Sequence, residues 1–284
     1  MKKNKILRLG IIGHGFVGKA TDWGFDKNVE KFIVDPKYKS TVKDLSDFNP
    51  DMVFVCVPTP MGKDGEQDSS ILEETLLQLS ELCPQTVVIV KSTVVPSTLK
   101  KLSARCKNII YNPEFLREKH AKNDFENSPM IMLGGDRNIC EEVSHAYLYH
   151  SKCKTKEHIF LELMSASLVK YAINTFLATK VIFFNELYKL FLTLDSTESW
   201  KQITDAITTD QRIGASHTDV PGHDGREGFG GACFPKDSSA LLDYAQKQEV
   251  NLSVLQSAVK KNKLIRKQYK TLDKREKEQN VSYD

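Results

Sequence analysis

The sequence has no cysteine pair of the C-x-x-C kind and no cysteine beside a histidine at metal-ligand spacing. Its six cysteines, Cys56, Cys83, Cys106, Cys140, Cys153 and Cys233, stand alone. That leaves a zinc site without support, so no metal is expected, and it suits a reducing, cytoplasmic compartment. Charge of one sign is also lacking. The net charge of +3 is too near balance to argue for a nucleic-acid partner. The C-terminal stretch from Lys260 is rich in Lys and Arg, but acids are mixed in and no aromatic row accompanies it, so a solvated helix face is expected there. No internal repeat is found. No membrane partner is expected either, because the one long apolar stretch, Leu163 to Leu194, is interrupted by Lys170, Asn174, Lys180, Asn185, Glu186 and Lys189. A span needs about 20 mostly uncharged residues, which leaves a long helix buried within the protein or between subunits. Met1 to Lys5 is basic, but the apolar stretch after it runs straight into a glycine turn with no cleavage-type end, so no signal peptide is expected.

What is present is the composition of a soluble globular protein, 40% hydrophobic and 27% charged over 284 residues. That length allows one large domain or two ordinary ones. In the first half, short apolar runs alternate with helical patterns. Ile6 to Ile12, Phe32 to Val34, Met52 to Val57, Val87 to Val90, Asn108 to Tyr111 and Met130 to Leu133 read as strands. Phe16 to Phe25, Ser70 to Leu82, Pro96 to Arg105 and Ile139 to Tyr149 read as helices. Asp68 and Ser69 are candidate caps for the second helix, and Pro96 suits a first helical turn. Such alternation, with strands apolar on both faces, predicts a parallel sheet covered on both sides. After about Glu162 the strand signal nearly vanishes. The long helix is followed by helical patterns at Glu198 to Thr208, Pro235 to Lys247 and about Leu252 to Glu278. The expected fold is therefore α/β: a Rossmann-like, doubly wound parallel sheet over residues 1–161, then an all-helical domain with a long central helix over 162–284. Between two of the helices, Asp210 to Gly231 is a long loop rich in Gly, Asp and Arg, and loops of that length are functional or disordered.

Gly13-His14-Gly15-Phe16-Val17-Gly18 follows an expected strand and opens an expected helix. Gly13 allows the tight turn, Gly15 lets backbone approach a pyrophosphate, and Gly18 lets helix and strand pack closely. The helix N-terminus offers N–H groups and partial positive charge to phosphates. Asp35 closes the second strand about where a carboxylate meets the adenosine ribose hydroxyls. A glycine turn alone is weak evidence, but strand, turn, helix and acid agree here. Asp35 is otherwise a simple turn residue before Pro36. As a ribose ligand it favours NAD, since a carboxylate repels a 2′-phosphate, while Lys37 and Lys39 leave room for NADP. Three further strand ends carry turn chemistry: Val57-Pro58-Thr59-Pro60, Ser92-Thr93-Val94 and Asn112-Pro113-Glu114-Phe115-Leu116-Arg117-Glu118. Each is an ordinary turn taken singly. Together they form one rim, where ligands sit in open α/β sheets.

In Gly228-Phe229-Gly230-Gly231-Ala232-Cys233-Phe234-Pro235-Lys236-Asp237, a cysteine lies between a flexible loop and a helix start. That position favours a thiolate nucleophile. The plainer reading is a small buried hydrophobe, which the glycine-rich approach and the Pro-Lys-Asp sequence disfavour. Lys170 and Asn174, four apart, share one face of the long helix. Buried polar groups need partners. The pair is either a buried ion pair or subunit contact, or a set of donors aimed at an oxygen that gains negative charge.

Taken together, these segments closely resemble the UDP-glucose and GDP-mannose dehydrogenases. The resemblance runs from about Leu9 to about Leu242 and rests on motifs in one order: the GFVG turn, VPTP at 57–60, STVVPST at 92–98, NPEFLRE at 112–118, LVKYAINTFLATKVIFFNE at 168–186 and GFGGACFPKD at 228–237. It implies an NAD-dependent double oxidation of a sugar primary alcohol to a carboxylate, with two NAD used per sugar and a thiohemiacetal, then a thioester, on Cys233. By motif position, Lys170 and Asn174 stabilise oxyanions, Glu114 assists proton transfer in hydrolysis, and Thr93 and Asp237 hold a water. Gly13, Gly15, Phe16, Val17, Gly18, Asp35, Thr59, Ser92, Thr93, Glu118 and Lys236 serve the cofactor. Glu114, Phe115, Leu116, Lys170, Asn174 and Gly230 line the substrate site. Arg212, in Gln-Arg-Ile-Gly, matches an arginine that reaches a neighbouring subunit's sugar site, which implies a homodimer through the long helix.

The sequence departs from the family's pattern in three places. Members continue into a third, nucleotide-holding domain, so a short form lacking it is expected, its nucleotide held by the Asp210 to Gly231 loop or by a partner. That loop, over Val220 to Gly228, is longer and more charged than the usual approach to the glycines, and in it Arg226 or His223 is a candidate phosphate contact. Position 167 is Ser where the family commonly has Glu. Two other functions stay open beside the four-electron dehydrogenase: a two-electron alcohol dehydrogenase of the same superfamily, and a non-catalytic binder of NAD or a nucleotide sugar.

Overall fold

A computed structural model of the chain describes residues 6–283; the basic stretch Met1 to Lys5, where the expectation about a leader falls, lies outside the described residues, as does Asp284. The described residues divide into two compact units, 6–59 with 68–170 and 60–67 with 171–283.

The first unit holds strands β1 (Leu7–Ile12), β2 (Val29–Val34), β3 (Met52–Val55), β4 (Val87–Val90), β5 (Ile109–Tyr111), β6 (Ile131–Gly134) and β7 (His158–Leu161) in one sheet of order β2-β1-β3-β4-β5-β6-β7. Helices α1 (Phe16–Gly24), α2 (Val42–Phe48), α3 (Ser70–Leu82), α4 (Pro96–Ser103), α5 (Ala121–Glu126) and α6 (Arg137–His150) connect them. Strand residues alternate between two cores. Val53, Val55, Val88 and Val90 enter one cluster, while Met52, Phe54, Val87 and Ile89 enter the other. Both faces are therefore covered, which is why β3 and β4 read as unbroken apolar runs.

Two features depart from expectation. The sheet is not wholly parallel: β5 and β6 pair antiparallel through Tyr111 and Gly134, and β7 then pairs parallel to β6. β7 itself, together with the short helices α2 and α5, has too few residues to show a period. At α3, Ser69 occupies the cap position but turns its hydroxyl to Glu73, and Asp68 accepts the Ser70 N–H instead.

Beyond the first unit the chain is helical, with α7 (Leu163–Phe191), α8 (Trp200–Thr208), α9 (Phe234–Lys247), α10 (Ser253–Arg266) and α11 (Lys274–Glu278). By length and composition α7 could cross a membrane, but half of its most apolar window is buried inside the protein, as in a core helix. Its last five turns belong to the second unit, where Ala178 and Ile182 pack with Phe229, Ala258 and Ile265. The pattern from Leu252 to Glu278 is two helices rather than one. The chain leaves helix after Arg266 and restarts at Asp273, whose side chain and that of Glu276 form a reciprocal capping box. Neither Gly nor Pro marks this break; the local sign of it is the Asp-x-x-Glu spacing of that capping box.

Gly24 ends α1 where an added Cβ would lie 2.2 Å from the Phe125 ring. Gly24→Ala should therefore lower the unfolding free energy by about 1–3 kcal/mol through overpacking. Thermal denaturation checks this, and an unchanged melting temperature would contradict it.

Candidate functional site

In the first unit, β1 to β5 run parallel, so their carboxyl ends share one edge, and β1 has neighbours reached by opposite crossovers. That is the switch point at which open sheets bind ligands. The glycine turn lies there. Gly13 has φ +85°, and a Cβ on it would meet the Cys56 carbonyl at 2.7 Å. A Cβ on Gly18 would fall 2.0 Å from the Gly13 carbonyl, so α1 can start this close to β1 only with glycine. At Gly15, the N-cap of α1, no side chain caps the helix, and a Cβ would meet nothing within 4 Å. Phe16 and Val17, half-buried, form the first turn. Asp35 accepts the His14 N–H at 2.7 Å on one oxygen and the Lys37 N–H at 3.0 Å on the other. A carboxylate oxygen has lone pairs for more than one donor, so ribose hydroxyls can still be bound. An open backbone cradle, a helix start and a fixed carboxylate fit a dinucleotide.

The next turns interlock. Ser92 donates its hydroxyl to the Val57 carbonyl at 2.6 Å, and Thr59 donates to the Thr93 carbonyl at 2.9 Å; all three hydroxyl-bearing residues are buried. Lys170, also buried, donates from Nζ to the Glu114 carbonyl at 2.5 Å and sits 4.7 Å from the centre of the Phe115 ring. The Glu114 carboxylate turns back onto the Leu116 N–H at 2.6 Å, and Leu116 packs on the second core. Glu118 is exposed. Thus Glu114, Phe115, Leu116 and Lys170 come together within this unit.

Sequence reasoning missed the support beneath these turns. Lys91, buried at the end of β4, donates to the Asn112 side chain at 3.0 Å and to its carbonyl at 3.3 Å; Tyr147 donates to the same Asn112 side chain at 2.6 Å. A lysine closing the apolar run Val87 to Val90 was the available signal. Ser167, fully buried, donates to the Val94 carbonyl at 2.5 Å, which gives the unusual serine at this position a specific task.

In the second unit, Cys233 is the half-buried N-cap of α9, with Pro235 in the first turn. Asp237, one turn on, is 1% exposed and accepts from Lys236 Nζ at 2.6 Å and from Asn174 Nδ2 at 2.6 Å. Asn174 is thereby oriented by the helix that Cys233 heads. Burial pushes the Cys140 thiol up to about 11 and also raises Cys83 and Cys106, as for cysteines that serve as small hydrophobes. Gly230 packs against the Arg266 guanidinium rather than an open pocket, since a Cβ there would fall 1.6 Å from Nη2. Arg212 is exposed and paired with Asp210. Arg226 donates to the Thr271 carbonyl at 2.7 Å and lies over the Tyr269 ring, while His223 is exposed.

Comparison with known proteins follows the same lines. Residues 24–152 match the NAD binding domain of the UDP-glucose/GDP-mannose dehydrogenase family, and residues 164–264 match its central domain. The two spans cover most of the chain. UDP-glucose 6-dehydrogenase of Rickettsia typhi is 30% identical over 247 residues, covering 84% of this chain and 55% of that protein. UDP-glucose 6-dehydrogenase TuaD of Bacillus subtilis is 30% identical over 226 residues, covering 75% of this chain and 46% of that protein. The chain thus spans about half the length of these curated relatives. In fold, a UDP-glucose dehydrogenase from Pyrobaculum islandicum superposes with a TM-score of 0.79 at 24% identity, over 93% of this chain and 69% of that one.

Burial lowers the Lys91 pKa from 10.5. Between the lowered value and 10.5 the unfolded chain binds more protons than the folded one, so this lysine's contribution to stability rises with pH through that window. The unfolding free energy of the wild type minus that of Lys91→Met should therefore climb as pH approaches 10.5. Denaturant titrations at stepped pH measure the difference, and a flat one would refute the assignment.

Proposed function

This chain belongs to the UDP-glucose/GDP-mannose dehydrogenase family, and on that footing we propose that it is an NAD-dependent nucleotide-sugar 6-dehydrogenase, with UDP-glucose the leading substrate. The observation that carries this reading is the buried Asn174–Asp237–Lys236 cluster one turn into the helix that Cys233 heads. A cysteine needed only for packing has no use for an oriented amide and a buried ion pair beside it.

NAD, when bound, accepts the hydride in each of the two oxidations. The Gly13–Gly18 turn would hold its pyrophosphate and Asp35 its adenosine ribose, with Thr59, Ser92, Thr93, Glu118 and Lys236 assigned to the rest of the cofactor. The sugar's primary alcohol gives up a hydride, and its hydroxyl proton passes to the water that Thr93 and Asp237 hold, leaving an aldehyde. The Cys233 sulfur adds to the aldehyde carbon, and the resulting alkoxide lies at the donors Lys170 and Asn174, where fixed ammonium and amide N–H groups stabilise the developing charge. The second oxidation converts the thiohemiacetal to a thioester. Water, held by Thr93 and Asp237 and deprotonated with help from Glu114, attacks the thioester carbon, expels the thiol and leaves the carboxylate. The N-terminal end of α9 favours negative charge at the sulfur, before it attacks the aldehyde and again when it leaves the thioester.

Phe115, Leu116 and Gly230 complete the sugar site in this reading, and Arg212 serves the site of a second copy. Its exposure, and the apolar residues Leu168, Phe176, Phe183 and Leu190 on the outer face of α7, support a homodimer through that helix. Six cysteines with no disulfide among them suit a reducing compartment such as the cytoplasm. Arg226 is already engaged by Thr271 and Tyr269, so it acts on nucleotide phosphates only by leaving them.

The test is a panel of nucleotide sugars with NAD, followed by absorbance. Two NADH per sugar consumed is expected from the wild type, and Cys233→Ser should lose steady turnover by about 10²-fold or more, as for removal of a covalent nucleophile. One NADH per sugar would instead identify a two-electron alcohol dehydrogenase. None with any sugar would identify a binder.

A further inference from the structure

The glycine-rich segment before Cys233 does not hold its own path. Gly228 and Gly231 have φ of +74° and +78°, and side chains from elsewhere bind its backbone almost residue by residue. The Glu227 N–H donates to Tyr269 Oη at 2.9 Å, Gly228 to Asn185 Oδ1 at 2.9 Å, Phe229 to Asn262 Oδ1 at 2.7 Å and Gly231 to Glu276 Oε1 at 3.3 Å. Asn262 closes the ring by donating back to the Phe229 carbonyl at 2.9 Å.

Beneath the segment lies a buried ionic knot. Arg266 is 2% exposed and Glu276 fully buried, with Nη2 to Oε1 at 2.9 Å. Arg266 also reaches Asp224 at 2.7 Å, and Tyr283 donates to Glu276 Oε1 at 2.6 Å. A buried ion pair is a poor source of net stability but costly to break from one side. What this one does is fix geometry, because Gly230 has no room for a Cβ between its backbone and the pair.

We propose that Glu276, locked to Arg266 under the glycine-rich segment, is a positioning residue for Cys233: the C-terminal segment 273–283 sets the course of residues 227–231 and so the place of the sulfur two residues later. The inference rests on the reading of Cys233 as the nucleophile. Attack on a carbonyl carbon tolerates little misplacement, and a shift of about 1 Å costs on the order of 10²-fold. A loop held by charge-assisted bonds from a separate helix meets that demand where a free glycine run does not.

The experiment measures alkylation of the folded, full-length protein by iodoacetamide, read cysteine by cysteine by mass spectrometry, alongside kcat and KM. In Glu276→Gln, Cys233 should react roughly tenfold faster, the change expected when one charge-assisted bond no longer opposes local opening. Cys106 and Cys140, buried in the other unit, should keep their rates, and kcat should fall with KM for NAD unchanged. An unaltered Cys233 rate overturns the proposal. If all six cysteines speed up together, the fold has failed, and Tyr283→Phe decides: a rise of about threefold at Cys233 alone, from loss of one hydrogen bond, supports positioning. An unchanged rate there, or a rise at all six, overturns it. Alkylation needs no turnover. A wild type inactive on every nucleotide sugar would remove the dehydrogenase reading while leaving the positioning result standing.

Discussion

Everything in the site depends on the cost of burying a polar side chain without a partner. α7 places Ser167, Lys170, Asn174 and Asn185 on its inner stripe, all of them buried. An unpaired buried polar group costs about 1–3 kcal/mol, and more for a charge, so each must find a fixed partner. Ser167 takes the Val94 carbonyl and Lys170 the Glu114 carbonyl in the first unit. Asn174 takes Asp237, and Asn185 takes the Gly228 N–H, in the second. Within each unit these bonds tie the neighbouring turn to the helix. That need for partners is also why a stretch apolar enough to resemble a membrane span carries buried polar residues along one stripe.

The two units solve the same positioning problem by different means. In the first, strands register the turns, and small bonds between neighbouring turns, Ser92 to Val57 and Thr59 to Thr93, hold the rim. Lys91 and Tyr147 brace Asn112 from below. In the second, no sheet among the described residues supplies register. Side-chain acceptors from α7, α10 and α11 take its place around a glycine-rich segment, and a buried Arg266–Glu276 pair sits under the backbone. The glycines are required by that closeness: at Gly228 a Cβ would meet Asn262 Oδ1 at 2.5 Å.

Much of this was legible before any fold was known. The short apolar runs of β1, β3 and β4, the glycine turn with Asp35 at the next strand end, and the residues of α3 are local signals. The elements that escaped are those with weak local signals. β7 is a short edge strand, α2 and α5 are short helices, and the antiparallel β5–β6 pairing is a choice of direction that no residue type encodes. The break between α10 and α11 carries no glycine or proline, only the Asp273–Glu276 capping pattern, and it leaves Glu276 paired with Arg266, ten residues back.

From the sequence alone came the α/β class, the dinucleotide turn, the long polar-striped helix and the family, because each is written in periodicity or in residues close along the chain. Tertiary structure alone decided which partners those residues found: Glu114 and Phe115 for Lys170, Asp237 for Asn174, Val94 for Ser167, and Arg266 rather than an open pocket for Gly230. Partners so far apart in sequence are chosen by the satisfaction of buried donors and acceptors, a condition that exists only once the chain has closed around them.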